Sequence, residues 1–248
     1  ILDVLTNRSR TDRVGIMAWK ILVSAPYIQP VIEQYRSMLE QADPEMEIVI
    51  PPVKERLTEE ELLQWIGDID GVISGDDEFT ERVMAAAPKL KVISKWGTGI
   101  DSIDREAARR HGIAVCNTPD AFTHPVADSV LGYILCFARR IPWMDQDIRS
   151  GIWEKPPGRS LRETTLGVIG LGNVGKEVIR RAKGFGMRTV GYDIAEIAHD
   201  FVTETGLELV SKEELLRQSD FVSLNCDLNP SSQHIIGEPE LAQMKDSA

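Results

Sequence analysis

The sequence is poor in cysteine, in basic charge and in long apolar runs. Its three cysteines, Cys116, Cys136 and Cys226, lie far apart, and no Cys-x-x-Cys or Cys/His pair has metal-ligand spacing, which excludes a cysteine-based metal site. An odd, sparse count fits a reducing cytoplasm, with the three read as small buried hydrophobes. Lys and Arg number 28 against 39 Asp and Glu, a formal net charge of -11. Scattered basic residues on an acidic average make no patch to replace counterions on phosphate, so neither nucleic acid nor an anionic membrane is expected as a partner. The longest nearly apolar run, 130–138, is far shorter than a bilayer span of roughly 20 residues.

What is present is globular. Hydrophobic residues make up 42% and charged residues 27% of 248, enough for a buried core and room for one large domain or two ordinary ones. The first twenty residues mix acids and bases without an apolar centre, unlike a signal peptide. The chain opens on Ile1, and Met17 stands just ahead of the first strand-like run. Residues 1–16 are therefore expected to be a leader or upstream sequence. Residues 244–248 read as a helix end and turn ahead of a further strand, so the natural chain is expected to continue.

From residue 21 onward, short β-rich runs alternate with helical stretches. Strands are expected at 21–24, 47–50, 72–74, 92–94 and 113–116, with helices at 31–41, 59–66, 80–87 and 105–111 between them. The helix at 59–66 is opened by Thr58, with Glu61 completing a capping box. Such alternation predicts a parallel sheet with helices on both faces. Pro119 biases Thr118 out of helical space and marks a boundary. The expected domains are 17–119 and 120–248. A long helix follows, with Val126, Val130, Ile134, Phe137 and Ile141 as its apolar stripe, widened by Leu131 and Ala138. It reads as a core helix whose length also suits domain bridging or dimer contact. A second alternating unit has strands at 165–169, 189–192, 208–210 and 221–225, and helices at 174–185, 201–205, 212–218 and 238–244.

The second unit carries the clearest chemistry. Gly170-Leu171-Gly172-Asn173-Val174-Gly175 is a Gly-x-Gly-x-x-Gly loop with a strand before it and a helix after it. Gly170 allows the tight turn, Gly172 lets backbone approach a pyrophosphate, and Gly175 lets helix and strand pack closely. The helix N-terminus, reached through Asn173 and Val174, offers unpaired N–H groups and partial positive charge to the anion. Asp193 ends the next strand, 18 residues past Gly175, where an acid accepts hydrogen bonds from ribose hydroxyls. A carboxylate there repels a 2′-phosphate, and Ile194-Ala195 bring no cation to bind one, so the expected cofactor is NAD rather than NADP.

Lys95-Trp96-Gly97-Thr98-Gly99-Ile100-Asp101, the run from His111 to Pro119, Val126-Ala127-Asp128, the 166–175 loop and Asp193 together resemble the D-isomer-specific 2-hydroxyacid dehydrogenases, from about Ile21 to the end. One departure is Asp128, where the family usually has Glu. The resemblance implies two doubly wound α/β domains, a flavodoxin-like substrate domain and a Rossmann NAD-binding domain. It also implies a homodimer, and hydride transfer between nicotinamide and C2 of a 2-hydroxy or 2-oxo acid. In the family an Arg, an acid and a His do the chemistry. All three follow the position of Ala248, so no catalytic residue is expected within the chain, and the 248 residues alone are expected to show no turnover. His111, His124, His199 and His234 match none of them and are expected in solvated or locally bonded roles.

For substrate binding the resemblance points to Lys95, Gly97, Thr98 and Gly99, the last three presenting N–H groups to a carboxylate. Lys95 stands where phosphoglycerate dehydrogenases of the family have Arg. Ser74-Gly75-Asp76-Asp77-Glu78 replaces a stretch that holds their second substrate-binding Arg, and three acids there would repel a phosphate. The expected partner is therefore a small 2-oxo or 2-hydroxy acid. The alternative function is a non-catalytic NAD-binding sensor like the corepressors that resemble this family. A methyltransferase fits less well, because it explains neither the glycine spacing nor the N-terminal unit.

Overall fold

The computed structural model describes residues 18–41 and 43–248; the expected leader lies outside them. The chain divides into two compact units, one ending at Ala121 and the other spanning Phe122–Ala248.

In the first unit, β1 (Lys20–Val23), α1 (Ile32–Glu40), β2 (Glu47–Val49), α2 (Glu59–Leu63), β3 (Gly71–Ser74), α3 (Glu81–Ala85), β4 (Val92–Lys95), α4 (Arg105–Arg110) and β5 (Ala114–Cys116) follow in order. All strand pairs are parallel, in the order β2-β1-β3-β4-β5, the flavodoxin-like arrangement. Side chains alternate between the sheet's faces. Leu22, Val72 and Ile93 pack on one side with Leu62, Ile66, Phe79 and Met84. Ile21, Val23 and Ile73 pack on the other with Ile28, Ile32 and Leu39. Both faces are covered, which is why the strands read as apolar runs rather than as an in-out alternation. Each such Leu or Ile contributes about 1.5–3 kcal/mol by leaving water.

The helix ends are set by side chains. At α2 both bonds of the capping box form, Thr58 Oγ1 accepting from Glu61 N and the Glu61 carboxylate from Thr58 N at 2.8 Å. This helix is shorter than expected: it stops at Leu63, and a 3₁₀ turn, Ile66–Asp68, finishes the span.

The second unit runs α5 (Thr123–Ala138), α6 (Ile141–Arg149), β6 (Thr165–Ile169), α7 (Asn173–Gly184), β7 (Arg188–Tyr192), α8 (His199–Thr205), β8 (Glu208–Leu209), α9 (Lys212–Gln218), β9 (Phe221–Leu224) and α10 (Glu238–Leu241). The strand order is β8-β7-β6-β9, all parallel, one half of a Rossmann sheet plus the first strand beyond its switch point. Leu166 and Val168 face a core with Leu131, Val178, Ile179 and Phe201, while Ile169 and Val190 face Leu215 and Leu216.

The expected long helix is two helices. Arg140 adopts a left-handed conformation (φ 57°) between them, and Pro142 lies in the first turn of α6. Of the expected apolar stripe, Leu131, Ile134 and Ala138 are buried and Val130 is half-buried, whereas Val126, Phe137 and Ile141 are exposed; Ala127 joins the buried face. Among the described residues no helix is long and apolar enough to cross a membrane.

Candidate functional site

In the second unit the glycine loop joins β6 to α7. Its three glycines answer to different demands. Gly170 has φ +88°, and a Cβ there would fall 2.5 Å from Cys226 N. A Cβ on Gly175 would sit 2.0 Å from Gly170 O, so only glycine lets α7 start this close to the loop. Gly172 is different: its φ is -70°, open to any residue, and a Cβ would meet nothing within 4 Å. No described neighbour calls for glycine there, and the open space leaves the backbone accessible to a group approaching from outside.

Gly172 is the N-cap of α7; it makes no side-chain cap bond, and the first turn holds no acid. By contrast α9 is closed by a Ser211–Glu214 capping box. The N-cap thus spends none of the first N–H groups of α7, which carry the partial positive end of the helix. The helix is held from behind by Arg181, which donates to Asp128 at 2.6 Å on α5 and to the Glu177 carbonyl at 3.1 Å. The bond to Asp128 is the main reason that the Arg181 pKa is raised further above its ordinary value.

Asp193 is half-buried at the end of β7. Its carboxylate accepts from Leu171 N at 2.6 Å and from Ala195 N at 2.8 Å. The acid therefore fixes the glycine loop as well as facing outward, and each oxygen keeps a lone pair for a hydroxyl. Beside it opens a cleft of about 630 Å³ lined by Gly191, Asp193, Glu196, Ile197, His199 and Val210, among others. Its lining holds two acids and no Lys or Arg. His199 lines this cleft, whereas His111 Nε2 lies 2.7 Å from Glu81 and His124 Nδ1 lies 3.4 Å from Glu177.

In the first unit, Lys95, Gly97, Thr98 and Gly99 lie at the carboxyl end of β4. The loop is tied down by 117–118: Thr118 N donates to Gly97 O at 3.0 Å, Asn117 Nδ2 to Thr98 O at 2.7 Å, and Thr98 Oγ1 to Thr118 O at 3.2 Å. The Gly97 and Thr98 carbonyls are used, while the N–H groups of Gly97, Thr98 and Gly99 donate to no other described residue.

Lys95 is 4% exposed. Its Nζ donates to Gly75 O at 2.6 Å and to the Asp76 carboxylate. The three acids of 76–78 do not act as one block. Asp77 is fully buried and accepts from Ser24 Oγ at 2.6 Å, Leu57 N at 2.7 Å and Gly75 N at 3.1 Å. Glu78 faces Arg56 at 3.2 Å and Glu59 N at 3.3 Å. Only Asp76 is turned to Lys95. This corrects the expectation of a three-acid repulsive patch.

Sequence reasoning passed over Asn225 and Cys226, which back the glycine loop, and Asn117 and Thr118, which hold the substrate loop. The rule that ligands sit beyond the carboxyl ends of strands at a switch point would have marked 225–226 as the end of β9. Nothing in the sequence pairs 97–98 with 117–118, because that contact depends on β4–β5 register.

The family model for the NAD-binding domain of D-isomer-specific 2-hydroxyacid dehydrogenases matches residues 131–248. A D-3-phosphoglycerate dehydrogenase of Methanocaldococcus jannaschii is 40% identical over 233 residues, which make up 92% of this chain and 42% of that one. A crystal structure of a Thermus thermophilus protein superposes with a TM-score of 0.78 at 31% identity, over 91% of this chain and 70% of that one. A D-lactate dehydrogenase of Aquifex aeolicus, solved with NAD and lactic acid, superposes with a TM-score of 0.79 at 26% identity, over 92% of this chain and 66% of that one. The chain thus spans less than half the length of the Methanocaldococcus relative.

Proposed function

The chain belongs to the D-isomer-specific 2-hydroxyacid dehydrogenase family, its second unit being the NAD-binding domain, and on that premise we propose that the whole protein is an NAD-dependent oxidoreductase acting on a small D-2-hydroxy acid or 2-oxo acid. Bound NAD supplies or accepts the hydride exchanged with C2 of the acid. Gly170, Gly172 and Gly175 with the N-terminus of α7 (Asn173, Val174) hold the pyrophosphate, and Asp193 the ribose hydroxyls. The N–H groups of Gly97, Thr98 and Gly99 take the substrate carboxylate, with Lys95 beside them.

The observation that carries the reading is Gly172, a glycine at ordinary φ beside open space, at the uncapped end of α7. NAD is favoured over NADP because Asp193 and Glu196 line the adjoining cleft without a cation. No residue of these 248 matches the family's catalytic Arg, acid or His, so the chain by itself binds cofactor without turnover. A homodimer is supported by Tyr133 and Phe137, one turn apart on α5, and by Trp143 on α6, whose ring lies 5.7 Å from that of Phe137. All three are exposed on the single chain. The sparse cysteines fit the cytoplasm as its place.

The test is a fluorescence titration of the chain with NADH, with NADPH as control, followed by a 2-oxo acid screen on the natural full-length protein. NADH binding with turnover in the full-length protein supports the enzyme. A folded chain that binds no NADH removes the cofactor assignment, and binding without turnover in the full-length protein favours the sensor.

A further inference from the structure

Lys95 presents a chemical problem that its neighbours solve in one particular way. A buried ammonium must be paired, and this one has three hydrogens to place. The Gly75 carbonyl takes one at 2.6 Å and the Asp76 carboxylate another. The two partners differ in permanence. Gly75 is backbone, fixed by its bond to the buried Asp77. Asp76 reaches in from solvent: its side chain is 75% exposed while that of Lys95 is 4% exposed.

Ser74 adds a second, independent observation. It is fully buried, and its hydroxyl has no hydrogen-bond partner among the described residues. Ser74 and Lys95 are register partners on β3 and β4, so their side chains leave the sheet on the same face. An unpaired buried hydroxyl costs free energy unless a ligand satisfies it.

We propose that Asp76 is a specificity-determining residue whose carboxylate holds Lys95 in place of a substrate's own anionic group, so that an incoming anion must displace it to reach Lys95 and Ser74. The proposal rests on the assignment of 95–99 to substrate binding. An incoming carboxylate exchanges one negative charge for another at Lys95. A phosphate ester brings up to two charges against the displaced, still neighbouring Asp76. The site therefore discriminates against phosphorylated acids through one exposed carboxylate, while Asp77 and Glu78 serve the fold.

The test uses the ¹⁵N-labelled chain titrated with inorganic phosphate, followed at the amide resonances of Gly97 and Gly99. Asp76→Asn should tighten phosphate binding by about tenfold or more, the lower end of what a like charge a few ångströms away costs near a protein surface. The double variant D76N/K95Q should lose that gain. An unchanged affinity in D76N overturns the proposal, as does a gain that survives in D76N/K95Q. Asp76 is exposed enough that D76N folds. If the double variant does not fold, D76N/S74A replaces it, and a gain undiminished there is equally fatal. If phosphate moves neither Gly97 nor Gly99 in any variant, the assignment of 95–99 itself falls, whereas a response that D76N leaves unchanged removes the role of Asp76 alone.

Discussion

The stem of Lys95 lies against the backbone of Gly97: a Cβ added at Gly97 would fall 3.0 Å from Lys95 Cε and within 4 Å of its Cγ and Cδ. Glycine is needed there for the approach of a side chain. Gly97→Ala should leave the fold intact, with a stability loss of about 1 kcal/mol or less, because the lysine stem can shift a few tenths of an ångström. It should also lengthen the bond from the ammonium to Gly75 O. Thermal unfolding together with the Lys95 side-chain ¹⁵N signal would check both halves.

The three glycines of the cofactor loop should separate by substitution. Gly175→Ala places a Cβ 2.0 Å from Gly170 O and should destabilise the second unit by about 3 kcal/mol, the upper range for overpacking. Gly172→Ala meets nothing within 4 Å and should cost about 1 kcal/mol or less, as alanine at an N-cap, yet weaken NADH binding by about tenfold or more through its clash with the pyrophosphate. A G172A chain that binds NADH like the parent would rule out that face of the loop as the phosphate site.

Asp193→Asn removes the charge while keeping an acceptor for Leu171 N. The ratio of NADPH to NADH dissociation constants should fall by about fivefold or more, the effect of one like charge at about 4 Å even in water. Parallel fluorescence titrations measure it, and an unchanged ratio would locate cofactor selection elsewhere.

Asp220 gives a pH prediction. Its side chain is 8% exposed. Burial pushes its pKa up, but Thr165 N–H, Lys245 and Arg159 outweigh that and hold it below the usual carboxylate value. A depressed folded pKa means that the stabilisation is fully present above the unfolded value of about 3.9 and is lost as pH falls through the lower folded value. Asp220→Asn should therefore cost about 2 kcal/mol at pH 7, the worth of hydrogen bonds to a charged group, and progressively less in acid below about pH 4. Urea unfolding at a series of pH values would show the two curves converging.

The aromatic surface of α5 and α6 makes its own prediction. Phe137→Ser with Trp143→Ser should shift the sedimentation coefficient of the parent toward the monomer and leave NADH binding in place. A parent already monomeric at tens of micromolar would remove the dimer.

Much of this architecture was legible because it is local. The strand at 165–169 and the helix at 212–218 have the bounds that their patterns predict. The glycine loop was legible because its chemistry is written in consecutive residues. The α5 stripe was legible in part: Leu131, Ile134 and Ala138 are buried as expected, but the helix is apolar on two faces, and Ala127 on the buried face looks weaker in sequence than the exposed Val126 and Phe137. Pro142 near the start of α6 was the missed sign of a helix restart. The pairing of Lys95 was not legible, because its two partners, Gly75 and Asp76, belong to the neighbouring strand's loop and meet it only through the β3–β4 register.

The backing of Gly170 by Asn225 and Cys226 has a consequence for biosynthesis. Asn225 N donates to Ile169 O at 2.7 Å, and the Gly170 backbone lies against Cys226. The glycine loop is translated well before the segment that braces it. A nascent chain that has not yet exposed β9 carries the whole Gly-x-Gly-x-x-Gly sequence with nothing behind it. The loop is therefore braced only late in translation, once β9 has left the ribosome and slotted in beside β6.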